Sequence, residues 1–232
     1  MFEYFFRSIP DGPFHVSPRL QMGIVCLMLL TVLTAFILRR SEKAFKIGIY
    51  LLTLQLFMLN SWYIVTQYEY IQGGLPLYHC RIAMFGIVIC YFLGKEKLMD
   101  YFGLLGFIGA ATAFGIPAFD PFSFPHITNF SFVFGHLCLI YTSTIIITQR
   151  SELSVKNIVR YTIDMNLAIF IADIILNANY GFLTELPAAV SFLPFKGLQI
   201  AIVITTALTI VMTILHFLTL HLTDWYHEHF SK

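Results

Sequence analysis

The chain has 232 residues, 58% hydrophobic and only 12% charged, with a mean hydropathy of +0.77. A water-soluble domain carries about twice that charged fraction, so a soluble fold is excluded, and disorder, a coiled coil and a disulfide-stapled module fail on the same apolar composition and four scattered cysteines. Fourteen basic and thirteen acidic residues leave a net charge of +1, which offers nothing to nucleic acid.

In hydrocarbon every backbone amide needs an internal partner, so long apolar runs must become helices. The alternating ten-residue pattern of a membrane barrel is missing. The sequence therefore predicts an all-α polytopic membrane protein, a seven-helix bundle forming one domain over residues 1–232. The predicted spans are residues 20–38, 45–65, 75–93, 99–119, 127–148, 158–179 and 197–222. The longest connection, residues 180–196, holds Pro187 and Pro194 and reads as an ordered lid or re-entrant turn.

Basic residues near helix ends stay on the cytoplasmic side during insertion. Arg39, Arg40, Lys43, Lys46, Lys95, Lys97, Arg150, Lys156, Arg160 and Lys232 fall on one side, while Arg7, Arg19 and Lys196 fall on the other among acidic residues. This places the N-terminus outside and the C-terminus inside, as expected for a multi-pass protein of a cell membrane. Pro10, Pro13 and Pro18 with mixed charge make the first twenty residues an exoplasmic cap and not a cleaved signal. Trp62, Tyr63, Tyr68 and Tyr70 are expected at the outer interface, Trp225 and Tyr226 at the inner one.

An ionisable group inside a bilayer is costly, which makes each one a functional candidate. Counting about 1.5 Å per residue from the outer helix ends, Asn60 lies about 8 Å deep, Cys80 and Arg81 about 8 to 9 Å, Asp173 about 10 Å and His136 about 13 Å. All fall in the outer half. Asn166, Asp173, Asn177 and Tyr180 recur at spacings that place them on one face of the sixth span. In Leu75-Pro76-Leu77-Tyr78-His79-Cys80-Arg81, Pro76 suits a first helical turn. His79, Cys80 and Arg81 diverge by about 100° each, so at most two share a site.

A thiol becomes a nucleophile when a base or a cation stabilises its thiolate. The expected pair is Cys80 with His136, preceded by Gly135, which permits close backbone approach; His126 is the alternative base. Arg81 is read either as a ligand for a lipid phosphate or as an ion-pair partner of Asp173. Asn60, His79, His126, Asp173 and Asn177 complete the candidate substrate-binding set. Cys26, Cys90 and Cys138 are expected to pack or face lipid. His227 and His229, with Asp224 and Glu228, match no zinc spacing, so no metal is expected. No Gly-rich phosphate loop or coenzyme motif is present, so no cofactor is expected.

These residues resemble a known family. The Leu-Pro-Leu-x-x-Cys-Arg segment ending at Arg81, the stretch from Pro117 to Pro125-His126, the later His136, and Asn177-Ala178-Asn179-Tyr180 with Phe182-Leu183 are similar to the YwaF family of bacterial membrane proteins. That family is similar to the eukaryotic transmembrane-protein-164 group. The resemblance implies seven helices and cysteine-dependent acyl transfer to lysophospholipids, with Cys80 as nucleophile and His136 as its partner. The family often has Leu-Pro-Leu-His-Leu-Cys, where this chain has Tyr78 and His79 before Cys80. A Lys-Pro common after the asparagine-tyrosine motif is here Glu185-Leu186-Pro187. Two further classes fit the composition: a non-enzymatic envelope-assembly or receptor-like protein, and a small-solute transporter. The transporter lacks an inverted repeat and polar groups in the inner half.

Overall fold

The structure is a computed structural model that describes residues 2–12, 14–149, 153–187 and 190–230, with side chains described from residue 3 to residue 223. Arg150 and Lys232, used above for orientation, lie outside the described residues, as do Pro13 and the side chains of Asp224, Trp225, Tyr226, His227, Glu228 and His229. The elements are α1 (Phe2–Phe5), α2 (Pro18–Leu38), α3 (Glu42–Thr66), α4 (His79–Leu93), α5 (Glu96–Gly115), α6 (Ile127–Ile147), α7 (Val155–Leu176) and α8 (Leu198–Phe230). No strand occurs among the described residues.

Local chemistry sets the helix ends. Ser17, Ser41 and Ser154 each accept a backbone N–H of the first turn that follows, and Pro18 occupies the first helical position of α2. Gly94 ends α4 and Asn177 ends α7, both in the left-handed conformation.

Five helices, α2, α3, α5, α6 and α8, are long and apolar enough to cross a membrane. Of the other two long helices, α4 is apolar but has only 15 residues. The second, α7, has 22 residues and carries Lys156, Arg160, Asp164 and Asp173. Large apolar side chains point outward around the bundle, among them Ile37, Phe57, Phe92, Ile175 and Ile214. Such a surface is compatible with lipid and not with water.

α5 and α6 form the centre, α5 packing on α4 and α6, and α6 also on α2 and α3. Without a hydrophobic force between helices in lipid, close contact depends on small residues. Gly103, Gly106 and Gly109 recur every third residue along α5. A Cβ on Gly103 would meet Ile146, on Gly106 Ser143 and Leu139, and on Gly109 the sulfur of Cys80. The last member of that stripe, Gly109, seats Cys80.

Two expected details differ. Pro76 precedes the helix instead of opening it, because α4 starts at His79 with Tyr78 as its N-cap. Trp62 and Tyr63 are buried inside the protein and not turned outward. The N-terminal segment folds across them, Trp62 Nε1 donating to the Phe6 carbonyl at 3.2 Å, and both pack against Phe122 and Ile127 as core residues.

Candidate functional site

Cys80 lies in the first turn of α4, half-buried, with its Sγ against Gly109. A Cβ there would stand 2.9 Å from the sulfur, so only glycine leaves room. The thiol makes no hydrogen bond to another side chain among the described residues.

His136 is half-buried in the middle of α6. Its Nδ1 lies 2.7 Å from the Phe132 carbonyl, and a carbonyl only accepts, so Nδ1 carries the proton. The neutral ring therefore presents a lone pair at Nε2, which has no hydrogen-bond partner among the described residues. A backbone carbonyl fixing the tautomer in this way is how many proteins poise a histidine. The ring sits edge-on to Phe114 of α5 at 5.8 Å, and Phe114 lies about 7.5 Å along α5 from Gly109 at the helical rise. Cys80 and His136 thus border the same helix without being hydrogen-bonded to each other. Gly135 serves a different neighbour from the backbone expected there: the Gln55 side chain fills the space, its amide 2.7 Å from where a Cβ would be. Gln55 Nε2 donates to the Ser131 carbonyl and hydroxyl.

Arg81 forms no salt bridge with Asp173. Its Nη1 donates to the carbonyls of Gly73, Gly74 and Leu75 at 2.7, 3.1 and 3.3 Å, the end of a π-helical turn spanning Tyr70–Gly74. Nη2 donates to the Tyr63 hydroxyl at 3.3 Å, which in turn donates to Asp120 at 3.4 Å. Asp120, in the loop between α5 and α6, is thus the carboxylate linked to Arg81. Burial pushes the Asp120 pKa above the ordinary carboxylate range, with the Arg81 charge opposing that rise. Sequence reasoning missed this link because Asp120 and Tyr63 are 57 residues apart, and no local spacing signals it.

His126 is committed to structure. Nε2 donates to the Arg7 carbonyl at 2.9 Å, so Nδ1 is the acceptor, capping α6 by taking the Thr128 N–H at 3.2 Å and its hydroxyl at 2.8 Å. The ring stacks on Phe122 at 3.9 Å. Burial lowers its pKa. With both nitrogens occupied it has no lone pair left for the base role weighed for it. Arg7 also binds Asp11 at 2.8 Å, and Ser123 N–H and hydroxyl donate to the same carboxylate, which holds Asp11 well below its usual pKa. This clasp ties the N-terminal segment to the α5–α6 loop.

The expected face of the sixth span divides. Asn166 and Asp173 are buried and share a face of α7. Asn177 leaves it, standing beyond the last turn at φ 50°, ψ 51° as the helix cap, a conformation asparagine tolerates better than most residues. Tyr180 leaves it too, in a 3₁₀ turn, with its hydroxyl donating to Ile71 O at 2.8 Å and accepting Leu75 N–H at 3.1 Å. Asn60 Nδ2 bonds back to the Leu56 carbonyl at 2.7 Å, within its own helix. His79 Nε2 meets Asn166 Oδ1 at 2.8 Å, on the side of α4 that faces α7.

No group of three or more His, Cys, Asp or Glu suited to a metal occurs among the described residues. Two open clefts of about 460 and 780 Å³ lie at the opposite end of the bundle, beside Arg39 and Arg40 and beside Lys95 and Lys97, and both include Phe45 and Gln149.

A bundle of apolar helices with lipid-facing surfaces and a polar cluster at one end defines a multi-pass membrane protein. Comparison with protein families matches residues 12–219 to the TMEM164 family, so the chain belongs to that family. Comparison with curated proteins and with solved structures returned no match.

Proposed function

We propose that the protein is a cysteine-dependent lipid acyltransferase of the outer leaflet, with seven spans, an exoplasmic N-terminus and a bacterial plasma-membrane location. The observation that supports this reading is that two groups without a hydrogen-bond partner among the described residues border the same helix: the Cys80 thiol and the Nε2 lone pair of His136. The likeness to the YwaF family points the same way, and membership of the TMEM164 family supports it.

Cys80 S–H gives its proton to His136 Nε2 as sulfur attacks the acyl carbonyl of a lipid ester. A carbon–sulfur bond forms, the ester carbon–oxygen bond breaks, and the departing alkoxide takes the proton from His136. A lyso-acceptor hydroxyl then gives its proton to His136 and attacks the thioester, releasing the thiolate to be reprotonated. Arg81 Nε, which makes no bond among the described residues, faces a phosphate or the developing oxyanion. Asn60 and Asn177 line the polar end of the substrate path, whereas His79 and Asp173 lie on the α7 side of α4, away from Cys80. His126 contributes only by holding the N-terminal clasp.

The test is transfer of a labelled acyl chain in liposomes. Wild-type protein transfers it, and Cys80→Ala and His136→Gln lose at least a hundredfold; equal rates for Cys80→Ala and wild type overturn the mechanism. A second reading is an envelope-assembly or receptor-like protein whose polar groups only join helices. It is favoured by the Arg81 contacts to three backbone carbonyls and Tyr63, and it predicts that Cys80→Ser leaves both stability and phenotype unchanged.

A further inference from the structure

Acyl transfer at Cys80 uses one side of α4. The other side faces α7 and carries His79, whose Nε2 lies 2.8 Å from Asn166 Oδ1. Asn166 Nδ2 donates to Thr205 Oγ1 of α8 at 2.9 Å, so Oδ1 is the acceptor and His79 Nε2 carries the proton. The lone pair of His79 is then at Nδ1. Asp173, only 1% exposed, accepts the Tyr180 N–H through Oδ1 at 2.7 Å. Its Oδ2 is buried with no protein partner among the described residues.

The next residue, Gly181, backs onto the imidazole: a Cβ there would stand 2.6 Å from His79 Cε1 and 3.0 Å from Nδ1. Its φ of +63° also favours glycine. The two side chains are therefore gripped by adjacent residues of one turn, Tyr180 N–H holding Asp173 Oδ1 and Gly181 backing onto the His79 ring.

We propose that His79 and Asp173 bind a single hydroxyl group between them, supplied by a water or by the glycerol backbone of a partly deacylated lipid. Buried polar groups are as a rule hydrogen-bonded, and internal water meets that need in many proteins. Valence decides the ligand class. Ionised Asp173 and His79 Nδ1 are two acceptors, which a water fills with two hydrogens. A protonated Asp173 is a donor, and a lipid hydroxyl then accepts from it and donates to His79. A bare cation would find one carboxylate oxygen and one imidazole nitrogen, too few ligands for the usual metals. The site stands apart from the acyl-transfer reading, since Cys80 faces α5.

The test is a high-resolution structure of the full chain in nanodiscs of diacyl phospholipid, with and without a 1-monoacylglycerol. Density within hydrogen-bond reach of both Asp173 Oδ2 and His79 Nδ1 is expected. Density in both samples assigns water, and density only with the monoacylglycerol assigns the lipid hydroxyl. A direct Asp173–His79 hydrogen bond, or either atom paired with another protein group, overturns the proposal. Cys80→Ala keeps the density, which separates this outcome from the fate of the acyl-transfer mechanism. Gly181→Ala, which puts a methyl against the ring, removes the density.

Discussion

At the residue scale the position of Cys80 is set by an absence of side chain opposite it. Gly109 leaves room for the sulfur, and a methyl there would meet it at 2.9 Å. Overpacking of this kind costs about 1 to 3 kcal/mol. Gly109→Ala should therefore lower the melting temperature and shift the thiol. Adding Cys80→Ala should restore most of the stability, as thermal unfolding in detergent will show. No recovery in the double variant would mean that Gly109 accommodates something other than the sulfur. His126 gives a pH signature at the same scale. Burial lowers its folded pKa below the ordinary 6.5, so the unfolded chain binds the proton first. The stability it contributes is full above about pH 6.5 and falls as pH drops from there towards the folded value. His126→Asn, which keeps a capping acceptor, should flatten that part of the stability profile. An unchanged slope would place the titration elsewhere.

At the scale of the element, the turn before α4 is held from a distance. Tyr180 bonds both Ile71 and Leu75, and Arg81 bonds the carbonyls of Gly73, Gly74 and Leu75. Tyr180→Phe removes the partner of the Leu75 N–H and of the Ile71 carbonyl, both bonds part-buried, a loss of about 1 kcal/mol. Hydrogen exchange should rise across residues 70–78 and stay unchanged in α6. Equal protection in the variant would show that Arg81 alone secures the turn. The contrast between elements shows what a sequence can display. Long apolar runs announced the helices, and the ends of α2, α3 and α6 fell within a few residues of expectation, because hydropathy reports burial in lipid directly. The end of α7 came three residues before the expected one, since a left-handed asparagine cap at Asn177 looks like a polar helical position in a linear text. Asp173 and Asn166 were legible by their spacing of seven. Asp120, Tyr63, Gln55 and Gly109 were not, because each acquires its role from a partner brought near only by the folded bundle.

For the whole molecule, the Cys80 end and the basic end of the bundle differ in chemistry. The first gathers the Cys80 thiol, the imidazoles of His79, His126 and His136 and the Arg81–Tyr63–Asp120 link, and the second carries Arg39, Arg40, Lys95 and Lys97 around open clefts. The proposed orientation puts the first end outside. A cysteine introduced as Ser123→Cys should react with an impermeant thiol reagent on intact cells. One introduced as Ser154→Cys should react only after permeabilisation. Labelling in the reverse order would invert the topology and move the proposed chemistry to the inner leaflet. The most direct measurement for the mechanism is the intact mass of the protein after incubation with phospholipid. Wild type should gain one acyl chain, released by hydroxylamine as a thioester is, and Cys80→Ala should gain none. An acyl adduct that persists in Cys80→Ala, or labelled acyl transfer by a wild-type protein that never carries an adduct, would contradict it.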